Sequence, residues 1–166
     1  SVRPSTYYSG FNMLDDTVGG YSPEKQKLRQ AISIALEYEE FIEIFSNGRG
    51  MAANSPLPPG IFGYKEGREG VNPYVYDWDE TRNRPVRKSI EYARKLMAEA
   101  GYPGGRDKTG RPLVINFDNP WTGADSTPMI NWYIKKFALL GIQLENRTTD
   151  YNRFQENSVQ IGRASC

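Results

Sequence analysis

The sequence predicts an α/β fold in which helices pack on a small sheet beside a long, ordered loop rich in Pro and Gly. Segments with helix and strand patterns alternate between residues 86 and 148, and this alternation is typical of α/β units. The 166 residues also include 11 Tyr, 7 Phe and 3 Trp. Aromatic side chains gain much free energy on burial, so this content favours a folded domain despite 16 Gly and 11 Pro.

The N-terminal part predicts one strand followed by a helical segment. Residues 6–13 are short, aromatic and bounded by turn-forming residues, which favours a strand. Ser22 before Pro23 is a typical helix start, because serine caps the first turn and proline suits its first position. Apolar residues then recur at helical spacing until Gly48. We therefore expect residues 22–46 to form one bent helix or two short ones.

Residues 48–85 show no sustained hydrophobic period. The prolines of Ser55-Pro56-Leu57-Pro58-Pro59-Gly60 force an extended backbone, because each one disfavours the helical region for the residue before it. A loop of this length inside a small domain is uncommon unless it is ordered. We expect it to be packed by its own aromatic residues, Tyr64, Tyr74, Tyr76 and Trp78.

The second half of the chain predicts two helix–strand units and then a tail. The elements are a helix at 86–100 ended by Gly101, a buried strand at 113–117, a helix from Ser126 or Thr127 to Gly141, and a strand at 142–148. If the two strands are parallel, a helix crosses over between them. Residues 157–166 have no amphipathic period and are predicted to be a tail.

Charge and composition exclude several classes of function. Lys+Arg 21 against Asp+Glu 20 gives a net charge of +1, too small to attract nucleic acid or an anionic membrane. The absence of histidine excludes Ser-His-Asp and Cys-His catalysis and histidine-ligated zinc within this chain. Cys166 has no second cysteine with which to form a disulfide. The small net charge therefore predicts no nucleic-acid partner. With no apolar run of about 18 residues, we expect no membrane-spanning segment. We also expect no cofactor.

Clustered carboxylates are the remaining candidates for catalysis or metal binding. Asp77-Trp78-Asp79-Glu80 has a spacing with which some enzymes hold Mg²⁺ or Mn²⁺. We favour a solvated turn, because the chain has no phosphate-cradling loop to complete such a site. A carbohydrate hydrolase that uses a pair of carboxylates needs no histidine and stays an alternative.

The loop at 118–125 is the better candidate for a binding site. It leaves the carboxyl end of the strand at 113–117 and enters a helix, where ligands gather in open α/β sheets. Trp121 lies in this loop. Its ring either forms a wall of the ligand site or packs the loop against the domain.

Several motifs occur together in the order and spacing of one known family. They are RQAI at 29–32, ALEYEE at 35–40, GRG at 48–50, SPLPPG at 55–60, ARKLMAEAGYP at 93–103, GRPL at 110–113 and LGIQL at 140–144. The chain resembles the solute-binding proteins of ABC transporters, in the oligopeptide/dipeptide-binding class called family 5. It departs from the family pattern at Glu37-Tyr38, where an aspartate–arginine pair is usual.

The resemblance implies a truncated lobe of the type II fold of periplasmic binding proteins. Members of the family are longer and close two lobes on a ligand, so residues 1–156 correspond to part of the C-terminal lobe. Residues 157–166 are then a tail that need not be native to the protein. The family's aspartate that pairs with a peptide amino group lies beyond this region and has no counterpart here.

The function implied by the resemblance is capture of a peptide or other small solute and its delivery to an ABC transporter permease. The protein would be periplasmic or extracellular and associated with the cell envelope, and it would carry no catalytic residue, metal or cofactor. Oligosaccharide binding is an alternative within the class, whereas nickel chelation is disfavoured without histidine. Carried over by position, the ligand-binding residues are Asn119, Trp121 and Asn12.

Overall fold

The computed structural model describes residues 8–11, 13, 15–45, 67–119, 121, 123–148 and 158–161. The chain divides into two units. The hairpin unit comprises residues 1–6 and 37–89, and the sheet unit comprises residues 7–36 and 90–166. The elements in chain order are β1 (Tyr8–Phe11), α1 (Pro23–Ala35), α2 (Tyr38–Phe45), β2 (Tyr76–Asp79), β3 (Arg84–Arg87), α3 (Ile90–Glu99), β4 (Val114–Asn119), α4 (Thr127–Ala138), β5 (Gln143–Thr148) and β6 (Ser158–Ile161).

The sheet unit contains four described strands in the order β1-β6-β4-β5. Strand β4 runs parallel to β5, and Asn119 lies opposite Thr148. Strand β6 pairs antiparallel with β4 and parallel with β1. The parallel β4–β5 pair is joined through α4, which is the helix–strand arrangement of an α/β fold.

Helix α1 forms where the sequence places its start signals. The Ser22 hydroxyl accepts a hydrogen bond of 3.3 Å from the backbone N–H of Lys25, and Pro23 occupies the first turn. One face is buried, and the helix packs against α3 in the same unit. Helix α1 ends at Ala35 and α2 begins at Tyr38, so the prediction of two short helices is confirmed.

The hairpin unit differs from the prediction of an irregular loop between residues 48 and 85. Strands β2 and β3 form an antiparallel hairpin, with Tyr76 opposite Arg87. The turn uses Asn83 in the left-handed region, at φ 51°. The predicted helix at 86–100 therefore begins only at Ile90, because Val86 and Arg87 pair with β2 instead. Residues 48–66 lie outside the described part of the chain.

A charged cluster links α2 to this hairpin. Arg87 donates to both carboxylate oxygens of Glu39, at 3.0 Å each, and to the Tyr76 hydroxyl at 2.8 Å. Tyr76 in turn donates to Glu39 at 2.6 Å. Burial alone would raise the pKa of Glu39, but the hydrogen bonds from Arg87 and Tyr76 outweigh it and lower that pKa below its ordinary value. Burial also raises the pKa of Tyr76, which therefore keeps its proton.

Strand β6 lies where a tail was expected. Residues Ser158–Ile161 insert between β1 and β4, and Ile161 is 1% exposed. These four residues were predicted as part of a tail, and they form a strand of the sheet. A four-residue segment is too short to show a period, and its backbone hydrogen bonds come from strands distant in the sequence. The other predicted tail residues, 157 and 162–166, lie outside the description.

The connection from α4 to β5 follows the prediction closely. Helix α4 has Pro128 in its first turn, and Gly141 after it adopts φ 75°. This glycine also lies against the backbone of Gly104 and Gly105. Two tight turns therefore meet at one end of the sheet unit.

Candidate functional site

The candidate site is the corner where β4 ends and the chain turns toward α4. Asn119 is the last residue of β4, and the carboxyl end of β5 lies beside it because the two strands are parallel. Open α/β sheets bind ligands at this edge. We call Asn119, Trp121 and Asn146 the corner residues.

Asn119 holds the corner together from inside the unit. Its side chain is 0% exposed. Its Oδ1 accepts a hydrogen bond of 3.1 Å from the backbone N–H of Trp121, and its Nδ2 donates to Oδ1 of Asn146 on β5. A buried amide needs such partners, because a polar group without them costs free energy on burial. Asn119 thus fixes where the loop begins.

The Trp121 ring packs on the sheet unit and stays partly exposed to solvent. Its ring centroid lies 6.2 Å from that of Phe117 and 6.0 Å from that of Tyr133. Phe117 and Tyr133 are themselves stacked at 4.5 Å, which joins β4 to α4. An indole supported by buried aromatic rings and still reached by solvent is suited to contact a ligand.

The three ligand-site predictions have different outcomes in geometry. The structure brings Asn119 and Trp121 together, but Asn119 points into the unit and meets protein groups. Asn12 lies outside the described residues. The sequence reasoning missed Asn146, which lies on the strand predicted at 142–148. Strand alternation was the available signal, since Leu144 and Asn146 lie on the same face of the sheet as Asn119 in the parallel register.

The opposite face of β4 and β5 carries a separate shallow cleft of about 290 Å³. Its lining is Asp15, Thr17, Val114, Ile115, Asn116, Glu145 and Arg147. The Asp15 carboxylate already accepts the backbone N–H groups of Thr17 and Val18, at 2.8 and 2.9 Å. The cleft includes none of the corner residues.

The carboxylates considered for a metal have other partners. Asp77 pairs with Lys88 at 2.5 Å, Glu80 pairs with Arg68, and Asp79 accepts the backbone N–H groups of the hairpin turn at 3.0 and 3.1 Å. Where the sequence predicted a solvated turn, Asp77 and Asp79 lie on strand β2 of the hairpin. Among the residues that the structure describes, no group of three or more Asp, Glu or Cys side chains is placed to hold a metal ion.

Curated relatives share part of this sequence. The chain is 37% identical over 136 residues to heme-binding protein A of Haemophilus influenzae, which covers 81% of the chain and 21% of that protein. It is 26% identical over 126 residues to the oligopeptide-binding protein OppA of Lactococcus lactis, covering 73% of the chain and 19% of the relative. The chain therefore spans about a fifth of the length of these relatives.

Solved structures share its fold. Lactococcal OppA, solved with an endogenous peptide, has a TM-score of 0.60 and 22% identity, and the match covers 87% of this chain and 28% of the OppA chain. AppA from Bacillus subtilis, solved with a nonapeptide, matches 92% of this chain and 29% of its own at a TM-score of 0.62 and 17% identity. HbpA2 from Haemophilus parasuis gives a TM-score of 0.55 at 21% identity over 84% of this chain and 26% of its own. The fold class is α/β, as part of a type II periplasmic binding protein.

The described residues include no helix with the length and apolar character needed to cross a bilayer. A sequence-family model, that of the bacterial extracellular solute-binding proteins, family 5 Middle, matches residues 1–164. The motifs, the fold and this match over nearly the whole chain agree. The chain belongs to the family 5 bacterial extracellular solute-binding proteins, the binding proteins of ABC transporters.

Proposed function

We propose that this chain forms part of the cleft with which a solute-binding protein captures peptides for an ABC transporter permease. The observation that carries the proposal is the partly exposed Trp121, supported by buried aromatic rings at the carboxyl edge of two parallel strands. The site would lie in the periplasm or outside the cell, where the family acts, and bound peptide would pass to the permease.

The chemistry of the corner suits a peptide. A tryptophan ring gives a large apolar surface at small entropic cost, which binds side chains of varied shape. Backbone groups near the strand ends can pair with the amides of an extended ligand. Two of the structural relatives were solved with peptides bound, which supports this ligand class for the longer protein.

Heme is a second candidate ligand, favoured by the 37% identity to heme-binding protein A. A porphyrin is flat and apolar, so it could stack on Trp121. The chain has no histidine, so any histidine bound to the iron would lie outside these residues. Oligosaccharide binding is the third candidate, since a periplasmic oligopeptide-binding protein of Thermotoga maritima with a similar fold was solved with mannohexaose bound. In each case we propose binding without catalysis.

The test is ligand binding by the full-length product of the gene. Calorimetry would compare tri- to pentapeptides, hemin, and cello- and malto-oligosaccharides, with a chromogenic glycoside added to detect hydrolysis. We expect saturable peptide binding and a change in tryptophan fluorescence. Trp121→Phe should weaken peptide binding about tenfold, or ~1.4 kcal/mol, and remove most of the fluorescence change.

Trp78→Phe is the matched control, because Trp78 pairs with Pro85 in the β2–β3 hairpin and is not one of the corner residues. It should keep peptide affinity within about twofold of the wild type. Binding of hemin with a Soret shift, and no binding of peptide, would replace the peptide proposal with heme. Glycoside turnover, or no binding by any of the three ligand classes, would contradict it.

A further inference from the structure

We propose that Asn146 is a positioning residue that holds Trp121 at the ligand site, acting through Asn119. Three groups form one hydrogen-bonded chain. The Trp121 backbone N–H donates to Asn119 Oδ1 at 3.1 Å, and Asn119 Nδ2 donates to Asn146 Oδ1. The chain connects the loop after β4 to the neighbouring strand β5.

The direction of each hydrogen bond follows from chemistry. A backbone N–H can only donate, so the Asn119 side chain must turn its oxygen toward Trp121. Its Nδ2 then faces β5, where the residue opposite must offer an acceptor. Asn119 is 0% exposed, so loss of that acceptor leaves a buried donor without a partner. The Asn119 amide would then shift or turn, and its bond to Trp121 would be lost.

The register explains why Asn146 is the residue in reach. Phe117 lies opposite Asn146, and Asn119 lies two residues further along the same face of the sheet. Asn146 is itself exposed, so a substitution there opens no cavity in the core. An effect on Trp121 would therefore come from the lost acceptor and not from lost packing.

The ligand part of this inference rests on the proposed function. The test substitutes Asn146 in the full-length protein and uses two readouts. Fluorine NMR of protein labelled with 5-fluorotryptophan reports on Trp121, whose resonance is the one absent from Trp121→Phe. Calorimetric titration with a tripeptide or tetrapeptide measures the affinity of the ligand site.

Asn146→Leu has the shape of asparagine but no acceptor. We expect it to shift or broaden the Trp121 resonance and to weaken peptide binding about tenfold, the size of one hydrogen bond. Asn146→Asp keeps an acceptor oxygen and should leave the resonance in place and the affinity within about twofold. Should Asn146→Leu fail to fold, Asn146→Val, which suits a strand, carries the same expectation.

Gln143→Leu is the matched control, an exposed polar residue of β5 whose side chain lies on the other face. It should change neither readout. The inference is overturned if Asn146→Leu leaves the Trp121 resonance or the peptide affinity unchanged, or if Asn146→Asp behaves like Asn146→Leu. If the wild type binds no peptide, hemin or sugar, the proposed function fails, while the resonance alone still decides whether Asn146 holds Trp121.

Discussion

Single residues fix the geometry of this chain most clearly where two backbones touch. Gly141 follows α4 at φ 75°, and a Cβ built on it would overlap the Gly104 carbonyl oxygen. Alanine at this position therefore meets both an unfavourable backbone angle and a steric clash. The close contact allows only glycine.

We expect Gly141→Ala to lower the free energy of unfolding by about 3 kcal/mol or more. Gly110→Ala is the control, because Gly110 has a similar φ of 81° but no atom within 4 Å of a built Cβ. It should cost only about 1 kcal/mol, the backbone penalty alone. Urea denaturation of both variants measures the difference, and equal losses would contradict the clash.

Glu39 gives the second prediction at this scale. Its pKa is lowered because Arg87 and Tyr76 hydrogen-bond the carboxylate more strongly than burial opposes its charge. A carboxylate whose pKa is lowered in the folded state stabilises the protein at pH values above the ordinary carboxyl pKa of 4.5. That stability is lost as the pH falls through the lower folded-state pKa.

Glu39→Gln should therefore reduce stability at pH 7 by about 1 kcal/mol, a modest value because the side chain is partly exposed. The difference from the wild type should shrink below about pH 4. Glu43→Gln, on the exposed side of the same helix, should have little effect at either pH. Urea midpoints at pH 7 and pH 3 test this, and a difference that grows toward low pH would refute it.

At the scale of elements, β6 joins β1 to the rest of the described sheet. It pairs with β1 on one side and β4 on the other, and Ile161 is 1% exposed. Ile161→Ala should cost about 2–5 kcal/mol, and Ile161→Val about 1 kcal/mol. Thermal or urea unfolding checks both values. If Ile161→Ala were as stable as the wild type, residues 158–161 would be a tail after all.

Elements with strong local signals could be predicted from the sequence. The helix ends were marked correctly by Ser22-Pro23, Pro128 and Gly141. An apolar run predicted β4, and an alternating pattern predicted β5. The hairpin of β2 and β3 and the strand β6 were missed. Each of these strands has four residues and is held by pairing with another strand, which no local pattern shows. The position of Trp121 was predictable, but the partner of Asn119 depends on a parallel register that no local pattern reveals.

At the scale of the whole molecule, the chain corresponds to one part of its longer relatives. It spans 21% and 19% of the two curated relatives. The corner residues occupy one edge of one sheet, so they can contact only part of a ligand's surface, and high affinity requires most of that surface to be buried. Affinity should therefore be measured on the full-length protein.

The place of β6 in the sheet also sets the order in which the chain can fold. In the described part of the chain, β1 at residues 8–11 pairs with β6, which begins at residue 158. During synthesis from the N-terminus, β1 and β4 are made long before the strand that lies between them. The sheet can close only after residue 161 has left the ribosome, so the nascent chain exposes unpaired strand edges until then. Completing the sheet depends on contacts of high sequence separation, which are typical of slowly folding domains.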